Sequence, residues 1–100
     1  MKKTLLLLCL LLCTTAYGQN KIKVACVGNS VTYGAGIENR EINSYPAQLQ
    51  RMLGDGYEVV NFGKSGATLL NKGHRPYCEQ EEYKAALDFA GDRVVIHLGL

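Results

Sequence analysis

The stretch Val24-Ala25-Cys26-Val27-Gly28-Asn29-Ser30-Val31-Thr32-Tyr33-Gly34 constrains this chain more than any other. An apolar run ends in Gly-Asn-Ser, and a glycine-rich turn comes next. The run does not alternate with polar residues, the pattern of a parallel strand covered on both faces. In a parallel α/β sheet, ligands bind outside the carboxyl ends of the strands. Gly28 permits a sharp turn at that point, and Ser30 is carried to the rim of the sheet with its hydroxyl outward. Taken alone, Gly-Asn-Ser is also an ordinary turn in which Ser caps the next segment. The rest of the sequence has to separate a turn from a nucleophile.

The start of the chain reads as a secretory leader. Met1-Lys2-Lys3 is a positive head, Leu5 to Cys13 is an apolar run, and Ala16-Tyr17-Gly18 places small residues before Gln19. The run is shorter than the roughly 20 residues a bilayer requires, so residues 1–18 are expected to be a signal peptide and not an anchor. The expected location is export, to a periplasm or the medium, with no membrane insertion after cleavage. The formal charge of +2 belongs to Lys2 and Lys3. Without them the chain is neutral, and the basic excess that a nucleic-acid partner calls for is absent.

Of the four cysteines, Cys9 and Cys13 lie in the leader. Cys26 reads as a small buried hydrophobe and Cys78 as a loop residue. A disulfide between them is open to an exported protein, but a mid-strand and a loop cysteine are poor partners. No Cys/His spacing matches a metal site, and no cofactor is expected.

Residues 19–100 alternate strand and helix signals. Lys21–Val27 is a strand, and Ser30–Asn43 reads as a loop hinged at Gly34 and Gly36. A helix is expected from Ser44, with Pro46 in its first turn and Gly54 as its left-handed stop. Tyr45, Leu49, Met52 and Leu53 would form its buried face. Tyr57–Phe62 is a second strand, followed by a second glycine-rich turn, Gly63-Lys64-Ser65-Gly66. Leu69–Cys78 reads as loop. Glu79–Ala90 is a second helix with Tyr83, Ala86, Leu87 and Ala90 on one face, and Gly91 stops it. Arg93–Leu98 is a third strand. This β-α-β-α-β order predicts a three-layer α/β/α, flavodoxin-like parallel sheet with strands in the order 2-1-3. The third strand would then be an unprotected edge, and residues 19–100 read as the N-terminal portion of a larger domain.

Three blocks resemble the SGNH (GDSL-type) hydrolases. They are Gly28-Asn29-Ser30 after an apolar strand, Val60-Asn61-Phe62-Gly63-Lys64-Ser65-Gly66, and Val94-Val95-Ile96-His97-Leu98-Gly99-Leu100. The resemblance implies a serine esterase with Ser30 as nucleophile and the backbone N–H groups of Ser30 and Gly66 as oxyanion donors. Asn29 stands where the best-known members carry Asp, a departure that favours sugar-ester esterases. The implied substrate is an O-acyl, above all an O-acetyl, ester on a carbohydrate or sialic acid. Lipid esters and thioesters are the alternatives. The family's third oxyanion donor and its Asp-x-x-His pair have no counterpart here, so the 100 residues alone are expected to be inactive. Neither His74 nor His97 follows an Asp by three. Thr32, Tyr33, Lys64 and Arg75 read as loop packing or solvated charges before they read as pocket residues.

Two rival readings remain. A nucleotide-binding module fits the architecture, but Gly34-x-Gly36-x-x-Asn39 lacks the third glycine of the dinucleotide fingerprint. A carbohydrate-binding domain that keeps the fold without the base differs from the esterase only in whether an Asp-x-x-His pair lies downstream of the third block.

Overall fold

A computed structural model describes residues 20–99; the leader expected over residues 1–18 lies outside them. The described residues hold three strands: β1 (Ile22–Gly28), β2 (Tyr57–Gly63) and β3 (Arg93–His97). Four α-helical segments join them: α1 (Ser30–Tyr33), α2 (Arg40–Asn43), α3 (Tyr45–Leu53) and α4 (Glu81–Phe89). A 3-10 turn, Tyr77–Glu79, precedes α4.

The sheet is parallel throughout, in the order β2-β1-β3, as the sequence predicts. β1 pairs with β2 from Ile22↔Tyr57 to Gly28↔Gly63, and with β3 from Val24↔Arg93 to Gly28↔His97. Gly28, Gly63 and His97 therefore end side by side at one edge. Central placement explains why Val24, Ala25, Cys26 and Val27 are all buried. A strand with neighbours on both sides and helices above and below has no solvent face, and each fully buried valine contributes roughly 1.5–3 kcal/mol.

The two longer helices cover opposite faces. Ala25 and Val27 join Phe62, Ala67, Tyr77 and Leu98 in the main core, with Val60 and the α4 residues Ala86 and Phe89 packed against it. The Phe62 and Phe89 rings meet at 5.4 Å between centroids. On the other face, Tyr45 of α3 approaches Cys26 and bonds Thr32 across 3.1 Å. Gln50 of α3 bonds β2 twice, donating to the Tyr57 carbonyl at 2.9 Å and accepting from Val59 N–H at 2.7 Å.

Several local expectations need correction. The segment 30–43 is not a plain loop: it holds α1 and α2, each a single turn. Gly34 is no free hinge. It is buried, caps α1 at φ 91°, and a Cβ there would lie 3.0 Å from Ser44 Cβ. Met52 is 75% exposed and Leu53 36%, where the periodicity buries both. α3 rests on β2, an edge strand, so its outer side has no sheet beneath it. Ser44 occupies the N-cap position of α3 without a side-chain capping bond. α4 starts at Glu81, two residues late, because Tyr77–Glu79 takes the 3-10 turn. Its left-handed cap is Ala90 at φ 52°, not Gly91. Gly91 instead allows close packing, since a Cβ there would lie 3.2 Å from Ala25 Cβ.

The helical period points Tyr83 and Leu87 toward the core, yet Leu87 is 60% exposed. With Val94, Ile96 and Leu69 they line an open apolar groove of about 370 Å³ over β3. Among the described residues Cys26 and Cys78 form no disulfide. Among the described residues no helix is long and apolar enough to cross a membrane.

Candidate active site

The site forms where β1 and β2 end. Asn29 leaves β1, and its N–H donates to the His97 carbonyl at 3.2 Å, tying the exit of β1 to the end of β3. The Asn29 side chain then caps α1: Oδ1 accepts from Val31 N–H at 3.1 Å. Asn29 is 5% exposed, so this cap is internal. Asn at this position performs the local task that an Asp acceptor would, without bringing a charge into the core. Ser30 is the first residue of α1 and is half-buried. Its carbonyl accepts from Gly34 N–H at 2.9 Å, so its backbone is held within a closed turn.

Thr32 fixes the underside of α1. It is fully buried, and its hydroxyl shares a 3.1 Å hydrogen bond with Tyr45. Burial pushes the Tyr45 phenol up, an effect the Thr32 bond partly offsets. Burial likewise pushes the Cys26 thiol up, against a smaller opposing effect of Tyr45, so this cysteine is a packing group and not a thiolate.

Two glycines let α1 lie flat on the strand ends. A Cβ on Gly28 would come 2.8 Å from the His97 carbonyl and the Thr32 Cβ. One on Gly63 would come 2.7 Å from Tyr33 Cα. Neither position has room for a side chain. Asn61 completes the clamp. Its Nδ2 donates to the Thr32 carbonyl at 2.8 Å and its Oδ1 accepts from Gly63 N–H at 2.8 Å.

The second glycine-rich turn abuts this clamp. Lys64 N–H donates to the Gly28 carbonyl at 2.9 Å. Ala67 N–H donates to the Lys64 carbonyl at 3.1 Å, closing a β-turn over Ser65 and Gly66. Gly66 has φ 80°, a conformation that only glycine takes readily. Gly66 is exposed, and its N–H has no acceptor among the described residues. Both turns that the sequence singles out thus lie at the same end of the sheet, joined through Lys64 and Gly28.

The histidines are placed differently. His97 ends β3, half-buried, and its Nδ1 is enclosed without a partner. His74 is exposed in the connection after Gly66. Neither His74 nor His97 hydrogen-bonds Ser30. Among the described residues no group of His, Cys, Asp or Glu could hold a metal ion. Lys64 pairs with Glu82 of α4 at 3.9 Å. The Arg40 guanidinium stacks over the Tyr33 ring at 3.7 Å, and its Nε donates to the Tyr33 carbonyl at 2.8 Å.

Two residues matter more than the sequence suggests. Asn61 reads there only as a strand end, although Asn-x-Gly closing an apolar strand is a signal for a side chain that bonds backbone locally. Arg75 reads as a solvated charge, yet its Nη1 donates to the Ser65 carbonyl at 2.9 Å.

Over 81 residues the chain is 56% identical to an acetylxylan esterase of Xylanibacter ruminicola, a match covering 81% of this chain and 17% of that enzyme. No family model matches the chain. No solved structure matches it. The chain therefore spans about 17% of the length of the curated relative, and over that length it is related to an esterase.

Proposed function

We propose that this chain carries the nucleophile-bearing part of a serine esterase of the SGNH type, acting on O-acetyl groups of a carbohydrate, with acetylated xylan as the first candidate substrate. The similarity to an acetylxylan esterase over most of the chain carries the substrate class. The meeting of the Ser30 and Gly66 turns at one end of the sheet supports the chemistry.

In this reading the Ser30 hydroxyl attacks the acetyl carbonyl. A tetrahedral intermediate forms, and its oxygen takes the negative charge. The Ser30 and Gly66 N–H groups donate to that oxygen, each worth about 3–4 kcal/mol of barrier in comparable sites. The sugar alcohol leaves, and water then cleaves the acetyl-serine. The alcohol proton of Ser30 needs a base, and neither His74 nor His97 follows an Asp by three. The base is assigned to an Asp-x-x-His pair elsewhere in the full-length protein, and the chain of 100 residues by itself to an inactive state. Export and cleavage of the 1–18 leader fit a substrate too large to enter a cell.

The test is acetate release from acetylated xylan by the full-length protein and by its Ser30→Ala variant. The variant is expected to lose kcat by on the order of 10⁴-fold or more. Turnover that persists undiminished in the variant overturns Ser30 as nucleophile.

A further inference from the structure

We propose that Arg75 is a positioning residue, which holds the Ser65–Gly66 peptide in the one orientation that lets the Gly66 N–H serve as an oxyanion donor. This rests on the serine-esterase reading for its catalytic meaning, although the geometry is independent of it.

The turn Lys64-Ser65-Gly66-Ala67 is closed by the bond from Ala67 N–H to the Lys64 carbonyl. Gly66 is at φ 80° and Ser65 is not among the residues of positive φ, which makes this a type II turn. Types I and II differ by turning over the central peptide, here the Ser65 carbonyl together with the Gly66 N–H. A glycine in the third position accepts either state, so the turn by itself does not fix where that N–H points.

Arg75 removes the ambiguity. Its Nη1 donates to the Ser65 carbonyl at 2.9 Å. In a trans peptide the carbonyl and the following N–H point in opposite directions. Pinning the carbonyl toward Arg75 therefore aims the Gly66 N–H away from it. The bond is charge-assisted, stronger than a neutral one, and draws electron density toward the carbonyl, which makes the N–H a better donor.

The base of the Arg75 side chain is itself secured without the guanidinium. Thr68 N–H donates to the Arg75 carbonyl at 2.8 Å, and Tyr77 N–H to the Thr68 carbonyl at 2.8 Å. Thr68 and Pro76 form a parallel bridge at the same place. Truncating the side chain thus leaves the backbone around it intact. Arg75 also borders a recess of about 210 Å³ with Tyr33, Lys64, Ser65 and Glu82, so contact with substrate is the competing role.

The experiment compares full-length wild type with Arg75→Met and Arg75→Lys on acetylated xylo-oligosaccharides, beside Ser30→Ala. Arg75→Met is expected to lower kcat about 10- to 100-fold, less than complete loss of a donor, with KM within about twofold. Arg75→Lys recovers part of the loss. A rise in KM with kcat unchanged overturns the proposal in favour of substrate binding. The second readout is the orientation of the Ser65–Gly66 peptide in a crystal structure of Arg75→Met. A turned or mixed peptide supports the clamp, and an unaltered one overturns it. A wild type with no Ser30-dependent turnover overturns the esterase reading instead, while the peptide orientation still decides the clamp.

Discussion

Asn61 and Thr32 are joined by a 2.8 Å hydrogen bond from the amide of one to the carbonyl of the other, across 29 positions of sequence. The same Asn61 side chain accepts from Gly63 N–H. One amide group thereby sets the height of the Ser30 turn above the end of β2.

Asn61→Leu leaves a carbonyl and an N–H without partners, at about 1–3 kcal/mol for each buried group. Urea unfolding of the variant is expected to show a loss of roughly 2–4 kcal/mol. Asn61→Asp preserves the acceptor for Gly63 but turns a carboxylate oxygen on the Thr32 carbonyl, so it is expected to lose most of the same stability at neutral pH. Equal midpoints for wild type and Asn61→Asp would contradict the clamp.

Gly28 and Gly63 are there for space. Gly63→Ala forces a methyl into the Tyr33 backbone, and the expected cost is about 1–3 kcal/mol or more because neither partner is a flexible side chain. Gly56 makes the contrast, since a Cβ there meets nothing within 4 Å. Gly56→Ala is expected to be neutral or to stabilise by about 0.4–1 kcal/mol, through fewer unfolded conformations. Thermal midpoints of the two variants, measured together, check both expectations.

Tyr77 gives the protein an alkaline limit. Its hydroxyl donates to the Phe62 carbonyl at 2.6 Å. Burial first, and the negative charge of Glu82 second, push its phenol up to about 12 from an ordinary value of 10.0. The folded state thus holds this proton more tightly than the unfolded state does. The associated stability is fully present below about pH 10 and is lost as pH rises toward about 12, to the extent of roughly 2 kcal/mol. Tyr77→Phe is expected to start less stable by about 1–3 kcal/mol, from the bond it forfeits. It is also expected to show a flatter decline over that window. Parallel decline in both proteins would refute the assignment.

Thr32 and Tyr45 supply a smaller, separable effect. Tyr45→Phe removes the partner of a fully buried hydroxyl, with an expected cost of about 1–2 kcal/mol. Thr32→Val in the same background is expected to restore part of it, because both polar groups are then gone. A double-mutant cycle that sums without coupling would show that the bond contributes nothing.

The strand and helix order is legible because its signals are periodic and local. Val24–Val27 is apolar without alternation, and α3 and α4 each carry a repeating face. The single turns α1 and α2 are not legible, since four residues are too short to show a period. Met52 departs from its expected burial for a different reason. A helical period tells which residues share a face, not whether a strand lies beneath that face, and the edge position of β2 leaves Met52 uncovered. At the site, the glycine-rich turns bearing Ser30 and Gly66 stand out in the sequence, and the family resemblance supplies the roles expected of them. Asn61 and Arg75 do not stand out, because each acts on a backbone carbonyl that only the fold brings within reach.

Of the three described strands, the first to be made is the one that lies between the other two. During synthesis β1 leaves the ribosome with no neighbour, and its second partner emerges far behind: Lys23 N–H reaches an Asp92 carboxylate oxygen 69 positions later in the sequence. Until then Val24–Val27 has one open flank. Pairings at such separations close slowly, and a nascent apolar strand is the kind of segment that chaperones shield. The bond from Asn29 N–H to the His97 carbonyl is then among the last to form, so the turn bearing Ser30 acquires its final shape only after almost all of these residues have been made.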